Sequence, residues 1–187
     1  MIEDARPAPP FLIIPGLGNS GPGHWQSVWQ GELATARRVE QANWDAPVRA
    51  DWIASLRAAI RQFPGAIVIA HSLGCIAVAH LAVEDRTLPV HGALMVAPAD
   101  VERPAAPDEI RPFAPVPLTR LSFPSIVVAS RNDPFVSRER AALFASAWGS
   151  ELVDIGAAGH VNLDAGFGPW PEGRALLDRL VARVGVN

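Results

Sequence analysis

The sequence holds one cysteine, Cys75, and no tyrosine among its 187 residues. A lone cysteine cannot close an intramolecular disulfide, and with no CxxC pattern there is no thiolate set for a metal, so none is expected. Charge is sparse as well: acidic and basic residues make up 19% of the chain and leave a net charge of −3. The basic residues are scattered, with no stripe to follow a phosphate backbone, which argues against nucleic acid as a partner. No apolar run approaches the length that crosses a bilayer, so no membrane partner is expected either. Met1 to Pro10 mixes acids with prolines around no apolar centre. It reads as a loose tail and not as a signal peptide, and the expected setting is the reducing cytoplasm.

What the chain has in quantity is apolar residues, 49% of the total. That suffices for a full core in one domain spanning residues 1–187. The most informative stretch is Ile67-Val68-Ile69-Ala70-His71-Ser72-Leu73-Gly74-Cys75-Ile76-Ala77-Val78. A β-branched apolar run meets a polar pair and passes at once into small and aliphatic residues, which reads as strand, one-residue corner and helix. Such a corner brings the positions two before and two after the turned residue together, so only small side chains fit there. Here they are Ala70 and Gly74, and the turned residue is Ser72. This is the G-x-S-x-G nucleophile elbow with alanine for the first glycine.

Other segments supply the rest of a sheet. Strands are expected at Phe11–Ile14, weakly at 37–41, at 66–70, 92–97, 125–130 and 151–155. Helical spacing of apolar residues predicts helices from Trp25 to about residue 36, over 48–63, from Leu73 to about Glu84, over 137–148 and over 174–184. Their alternation specifies an α/β fold: a parallel sheet with helices on both faces. The segment 98–124 holds Pro98, Pro104, Pro107, Pro112, Pro115, Pro117 and Pro124. That density forbids a long helix or a central strand, so a long surface loop is expected there.

In open parallel sheets ligands bind beyond the carboxyl ends of the strands. Three such ends carry Ser72, then Asp133 in Arg131-Asn132-Asp133-Pro134, then His160 in Gly159-His160. Ser…Asp…His is the order of the α/β-hydrolase triad, so Ser72 is assigned as nucleophile, His160 as general base and acid, and Asp133 as the group that orients His160. Asp100 is the reserve acid. The glycine-rich loop 16–23 would give one oxyanion-hole N–H, from Leu17 or alternatively Gly16; the other would be Leu73, at the helix start. Each residue also has a plainer reading: Ser72 as an N-cap, Asp133-Pro134 as a turn, His160 as a loop residue. Cys75 reads as a buried small hydrophobe, and His71, His80 and His91 as structural. His24 closes the glycine loop, where it would either contact substrate or cap the next helix.

The chain resembles the compact serine hydrolases of the retinoblastoma-binding-protein-nine and YdeN type, members of the α/β-hydrolase fold. The likeness rests on Pro15-Gly16 with His24-Trp25, on Trp44 and Trp52, and on Ala70-His71-Ser72-Leu73-Gly74. It continues in Asn132-Asp133-Pro134, in Gly159-His160 with Asn162, and in Gly168-Pro169-Trp170-Pro171-Glu172-Gly173. The resemblance implies a three-layer fold with a six-stranded, mostly parallel sheet in the order 2-1-3-4-5-6, and the same three residues Ser72, Asp133 and His160. Retinoblastoma-protein binding does not carry over, because Leu73-Gly74-Cys75-Ile76-Ala77 lacks the glutamate of L-x-C-x-E.

Larger relatives insert a helical cap after the strand that corresponds to 92–97; here only the proline-rich loop stands there, so no cap is expected. With six tryptophans in the chain, Trp25, Trp44 and Trp170 are candidates to line a shallow, partly aromatic pocket, along with His24, whereas Trp29, Trp52 and Trp148 read as core. The expected activity is cofactor-free hydrolysis of small carboxylic esters. An amidase, a peptidase-like hydrolase or an acyltransferase would use the same residues, and a non-catalytic binding protein would keep only the scaffold. The expected partner is a small-molecule ester or amide; oligomeric state is not legible in the sequence.

Overall fold

Runs of aliphatic residues alternating between two faces form the centre of a six-stranded sheet. In a computed structural model residues 8–185 are described; the tail expected over 1–10 therefore lies mostly outside the described residues. Its last part is tied down, since Pro9 and Pro10 carbonyls accept hydrogen bonds from Thr35 Oγ1 and Ile67 N.

The strands are β1 (Phe11–Ile14), β2 (Ala36–Arg38), β3 (Ala66–His71), β4 (Val90–Val96), β5 (Ser125–Ala129) and β6 (Glu151–Asp154). The helices are α1 (Trp25–Glu32), α2 (Arg49–Gln62), α3 (Leu73–Glu84), α4 (Arg138–Trp148) and α5 (Pro171–Val184). Strand order is β2-β1-β3-β4-β5-β6, and every neighbouring pair is parallel. The three-layer fold and strand order thus stand as expected.

Because side chains alternate along a strand, each strand feeds two cores. Leu12, Ile14, Val68, Ala70, Met95 and Val127 pack under α2, α3 and α4, against Trp52, Leu56, Ile76 and Phe144. Phe11, Ile13, Ile67, Ile69, Leu94 and Val128 pack on the other face under α1 and α5, against Trp25, Trp29, Leu177 and Leu180. The central helix α3 is buried along nearly its whole length, as its small and aliphatic composition requires.

Several expectations need correction. Helix α1 ends at Glu32, well before residue 36, because Ala36 is taken up by pairing with Phe11 in the sheet. Strand β2 is correspondingly earlier than 37–41. Helix α5 begins at Pro171, three residues before expectation, since proline at the first helical position has the right φ and lacks only an N–H that would be unbonded there. The proline-rich segment holds no long element, only a 3₁₀ turn at Arg111–Phe113. It is not a surface loop, however: Val101, Ile110, Phe113, Val116, Leu121 and Phe123 are buried in the core. Proline blocked regular structure, and the apolar residues between the prolines still had to leave water.

Candidate active site

The strand order reverses between β1 and β3, so the loops that leave these two strands emerge side by side, with Ile14 paired to Ala70. Ser72 sits between β3 and α3 at φ 53° and ψ −122°, a strained conformation for a residue with a side chain. Such a residue costs about 1–3 kcal/mol and persists only where its surroundings hold it. Here its N–H donates to Val96 O at 3.0 Å, and its carbonyl accepts from Cys75 N at 3.0 Å. Gly74 is obligatory in the turn: a Cβ there would lie 2.5 Å from Ile14 O and 2.6 Å from Pro15 O. Ala70 fits fully buried in its place.

The three residues selected from separate strand ends form one hydrogen-bonded chain. Ser72 Oγ lies 2.9 Å from His160 Nε2, and His160 Nδ1 lies 2.8 and 3.0 Å from the Asp133 carboxylate oxygens. A carboxylate only accepts, so Nδ1 carries the proton and the neutral ring turns the Nε2 lone pair toward the serine hydroxyl. The Asp133 side chain is fully buried and also accepts from Phe135 N at 2.8 Å. Asp100, the reserve acid, is not part of this chain: Arg140 holds it at 2.8 and 2.9 Å through two nitrogens.

The glycine loop abuts the elbow closely. A methyl group on Gly16 would sit 2.7 Å from Ser72 Cβ and 3.2 Å from Leu73 N. Leu73 is the first residue of α3, so its N–H has no partner within the helix. Leu17 and Leu73 both line the cleft over Ser72.

A buried polar network that the sequence did not reveal braces this loop. Gln26, wholly buried on α1, donates from Nε2 to Ile14 O at 3.2 Å and Ile69 O at 3.0 Å, and accepts from Ser20 Oγ at 2.7 Å. Arg38 reaches from β2 to Ser20 O, Ser27 Oγ and Asn19 Oδ1. The loop bearing His160 is clamped likewise: Gly159 N donates to Asn132 Oδ1 at 2.8 Å, and Ala158 N to Ser130 Oγ at 2.9 Å. His71 Nε2 meets the His160 carbonyl at 2.9 Å, so this neighbour of Ser72 holds the His160 backbone.

Four candidate substrate contacts fare differently. His24 lines the cleft, and its Nδ1 also accepts from Gln26 N at 3.1 Å, so it caps α1 as well. The three tryptophans do not line it. Trp25 is fully buried and donates from Nε1 to Val161 O at 2.8 Å, steadying the residue after His160. Trp170 is buried against Trp25 and stacks on Trp29, and Trp44 packs edge-on to Trp52. Their bulk is used in packing, and the aromatic ring that does face the cleft is Phe135. The cleft measures about 340 Å³ and is closed on one side by Arg103, Pro107 and Ile110 of the proline-rich segment.

The histidines around Ser72 are electrostatically distinct. Burial above all, then the positive charge of Arg38 and the neighbouring His160, push His24 down to about 4. His71 is driven well below the usual histidine range, mainly by burial and secondarily by His160 and His24. Burial likewise pushes the Cys75 thiol up, out of the range of a nucleophile. Among the described residues no group of three or more His, Cys, Asp or Glu side chains could hold a metal ion, and no helix is long and apolar enough to cross a membrane.

Comparison with known proteins gives a consistent family. The family model described as serine hydrolase matches residues 11–179. A YdeN-like hydrolase from Pectobacterium atrosepticum is 34% identical, with a TM-score of 0.84 over 95% of this chain and 92% of that one. The YdeN gene product of B. subtilis is 20% identical, with a TM-score of 0.78 over 93% of this chain and 99% of that one. Est1E from Butyrivibrio proteoclasticus, solved with ferulic acid bound, shares the fold at 14% identity, with a TM-score of 0.69 over 93% and 90% of the two chains. No curated protein matches the sequence.

Proposed function

This chain belongs to the serine hydrolase family, in the compact YdeN type of α/β-hydrolases, and on that premise we propose that it cleaves small carboxylic esters through an acyl-enzyme on Ser72. The observation that carries the proposal is the unbroken run of contacts from Ser72 Oγ through His160 to Asp133. Ser72 Oγ attacks the ester carbonyl carbon and its proton passes to His160 Nε2. The imidazolium is stabilised by the Asp133 carboxylate at Nδ1. The negative oxygen of the tetrahedral adduct is held by the N–H groups of Leu73 and Leu17, with Gly16 as the alternative donor. Collapse expels the alcohol, which takes the proton from His160. Water then attacks the acyl carbon, gives a proton to His160, and the second collapse releases the acid and restores the Ser72 hydroxyl.

A cleft of about 340 Å³ without a helical cap favours short acyl chains over long ones. No cofactor is required by this scheme, and the substrate is a small molecule. Labelling by a fluorophosphonate probe tests it directly. The wild type should label and hydrolyse p-nitrophenyl butyrate faster than p-nitrophenyl palmitate, and Ser72→Ala should do neither. Label retained by Ser72→Ala, or absent from the wild type, removes Ser72 from the nucleophile's role.

A further inference from the structure

One charged side chain in the cleft has no task in the scheme above. Arg103 stands on the proline-rich wall, half-buried, and its Nε is buried without a hydrogen-bond partner. Its guanidinium carbon lies 5.3 Å from the centroid of Phe135, and that ring in turn meets His160 edge-on at 4.6 Å. The cation is therefore one aromatic ring away from the reacting centre. The acids nearest to it in sequence are already committed, because Asp100 and Glu102 both pair with Arg140. Among the described residues no carboxylate lies within ion-pair distance of Arg103. A guanidinium partly withdrawn from water with no counter-charge is unfavourable, and a bound anion would relieve it.

We propose that Arg103 makes the cleft selective for esters that carry a second, negatively charged group, a carboxylate in the first instance. The inference rests on the ester-hydrolase reading of Ser72. Asp164, the carboxylate of the lining, is exposed and so exerts a weaker, water-screened influence in the opposite sense. Ile110, Leu17 and Leu163 complete an apolar lining suited to a short methylene linker between the ester and the anion.

The test compares kcat/KM within matched pairs of substrates. On the acyl side, p-nitrophenyl hydrogen adipate is set against p-nitrophenyl methyl adipate. On the leaving-group side, 4-carboxyphenyl butyrate is set against its methyl ester, and an ester bearing a terminal trimethylammonium is the cationic control. A charge-assisted contact predicts an anionic-over-neutral ratio of about tenfold or more in at least one pair. That ratio should fall toward one in Arg103→Ala, be largely kept in Arg103→Lys, and shrink in the wild type as salt is raised. Ratios at or below one in both wild-type pairs, preference for the cationic ester, or a ratio unchanged in Arg103→Ala would overturn the proposal. Fluorophosphonate labelling keeps the two readings apart: a labelled enzyme with no anionic preference refutes only the role of Arg103, whereas an enzyme that neither labels nor hydrolyses any ester refutes both.

Discussion

His71 and His160 are joined through an imidazole and a main-chain carbonyl: His71 Nε2 lies 2.9 Å from His160 O. A carbonyl can only accept, so His71 carries its proton on Nε2. Its depressed pKa, caused chiefly by burial, keeps the rest of the ring neutral beside His160, where the proposed reaction would form an imidazolium. A positive charge there would oppose proton transfer to His160.

His71→Phe retains a ring between His24, Trp25 and His160 but removes the donor. It leaves a buried carbonyl unpaired, at a cost of about 1–3 kcal/mol. We expect kcat on p-nitrophenyl butyrate to fall by about tenfold, the size of a small displacement of His160, with KM nearly constant. His71→Gln, which can still offer an N–H, should recover part of the rate. Steady-state kinetics and thermal unfolding of both variants check this; equal kcat in the wild type and His71→Phe would reduce His71 to a packing residue.

The two carboxylates considered for orienting His160 are separable by substitution. Asp133→Asn keeps the size of the side chain but allows its amide to favour the wrong imidazole tautomer, so kcat should drop by about 10³–10⁴-fold. Asp100→Asn breaks the paired contact to Arg140 and loosens the start of the proline-rich wall. Its main effect should be on stability, with far less loss of kcat. Comparable rate losses in the two variants would contradict the assignment.

The elbow was legible because its constraint is local: Ala70, Ser72 and Gly74 lie within five residues, and backbone geometry alone demands small neighbours. That Asp133 and His160 would meet was legible for a different reason, since parallel strands deliver their C-terminal loops to one edge of the sheet. Gln26 was not. It occupies an ordinary polar position of a short helix, and its partner Ile69 is 43 residues away, a relationship no periodicity encodes. Trp25 and Trp170 occupy loop or helix-start positions that suggest access, whereas ring size draws them into the core under α5. In the proline-rich segment the prolines exclude regular structure but say nothing of where Phe113 and its apolar neighbours go.

Gly74 and Ala70 make a second pair with opposite tolerances. Gly74→Ala sets a methyl group against two carbonyl oxygens of the β1 end, which are backbone and cannot swing aside. Overpacking of this kind costs about 1–3 kcal/mol. It also pushes the glycine loop away from Ser72, so a rate loss above about 100-fold is expected. Ala70→Gly adds no atom and only loosens the strand, costing about 0.5–1 kcal/mol, with a much smaller loss of rate. Melting temperatures and kcat/KM for the two variants give the comparison; a fully active Gly74→Ala would show that the turn has room the structure denies it.

His24 links stability to pH. Its Nδ1 must stay unprotonated to accept from Gln26 N, and burial first, then Arg38 and His160, lower its pKa from 6.5 to about 4. Between those values the unfolded chain binds a proton that the folded chain refuses. The contribution is therefore complete above the unfolded value and is lost as pH falls from about 6.5 toward about 4. At pH 5 this amounts to about 2 kcal/mol by proton linkage. His71, shifted in the same direction, adds to the loss. His24→Asn supplies another good N-cap and removes the titrating group. Urea unfolding at pH 7.5 and pH 5 should show the wild type losing stability on acidification and His24→Asn losing about 1–2 kcal/mol less of it. Identical pH dependence in the two proteins would mean that His24 takes up its proton while the fold is intact, and that the cap on α1 does not depend on a neutral ring.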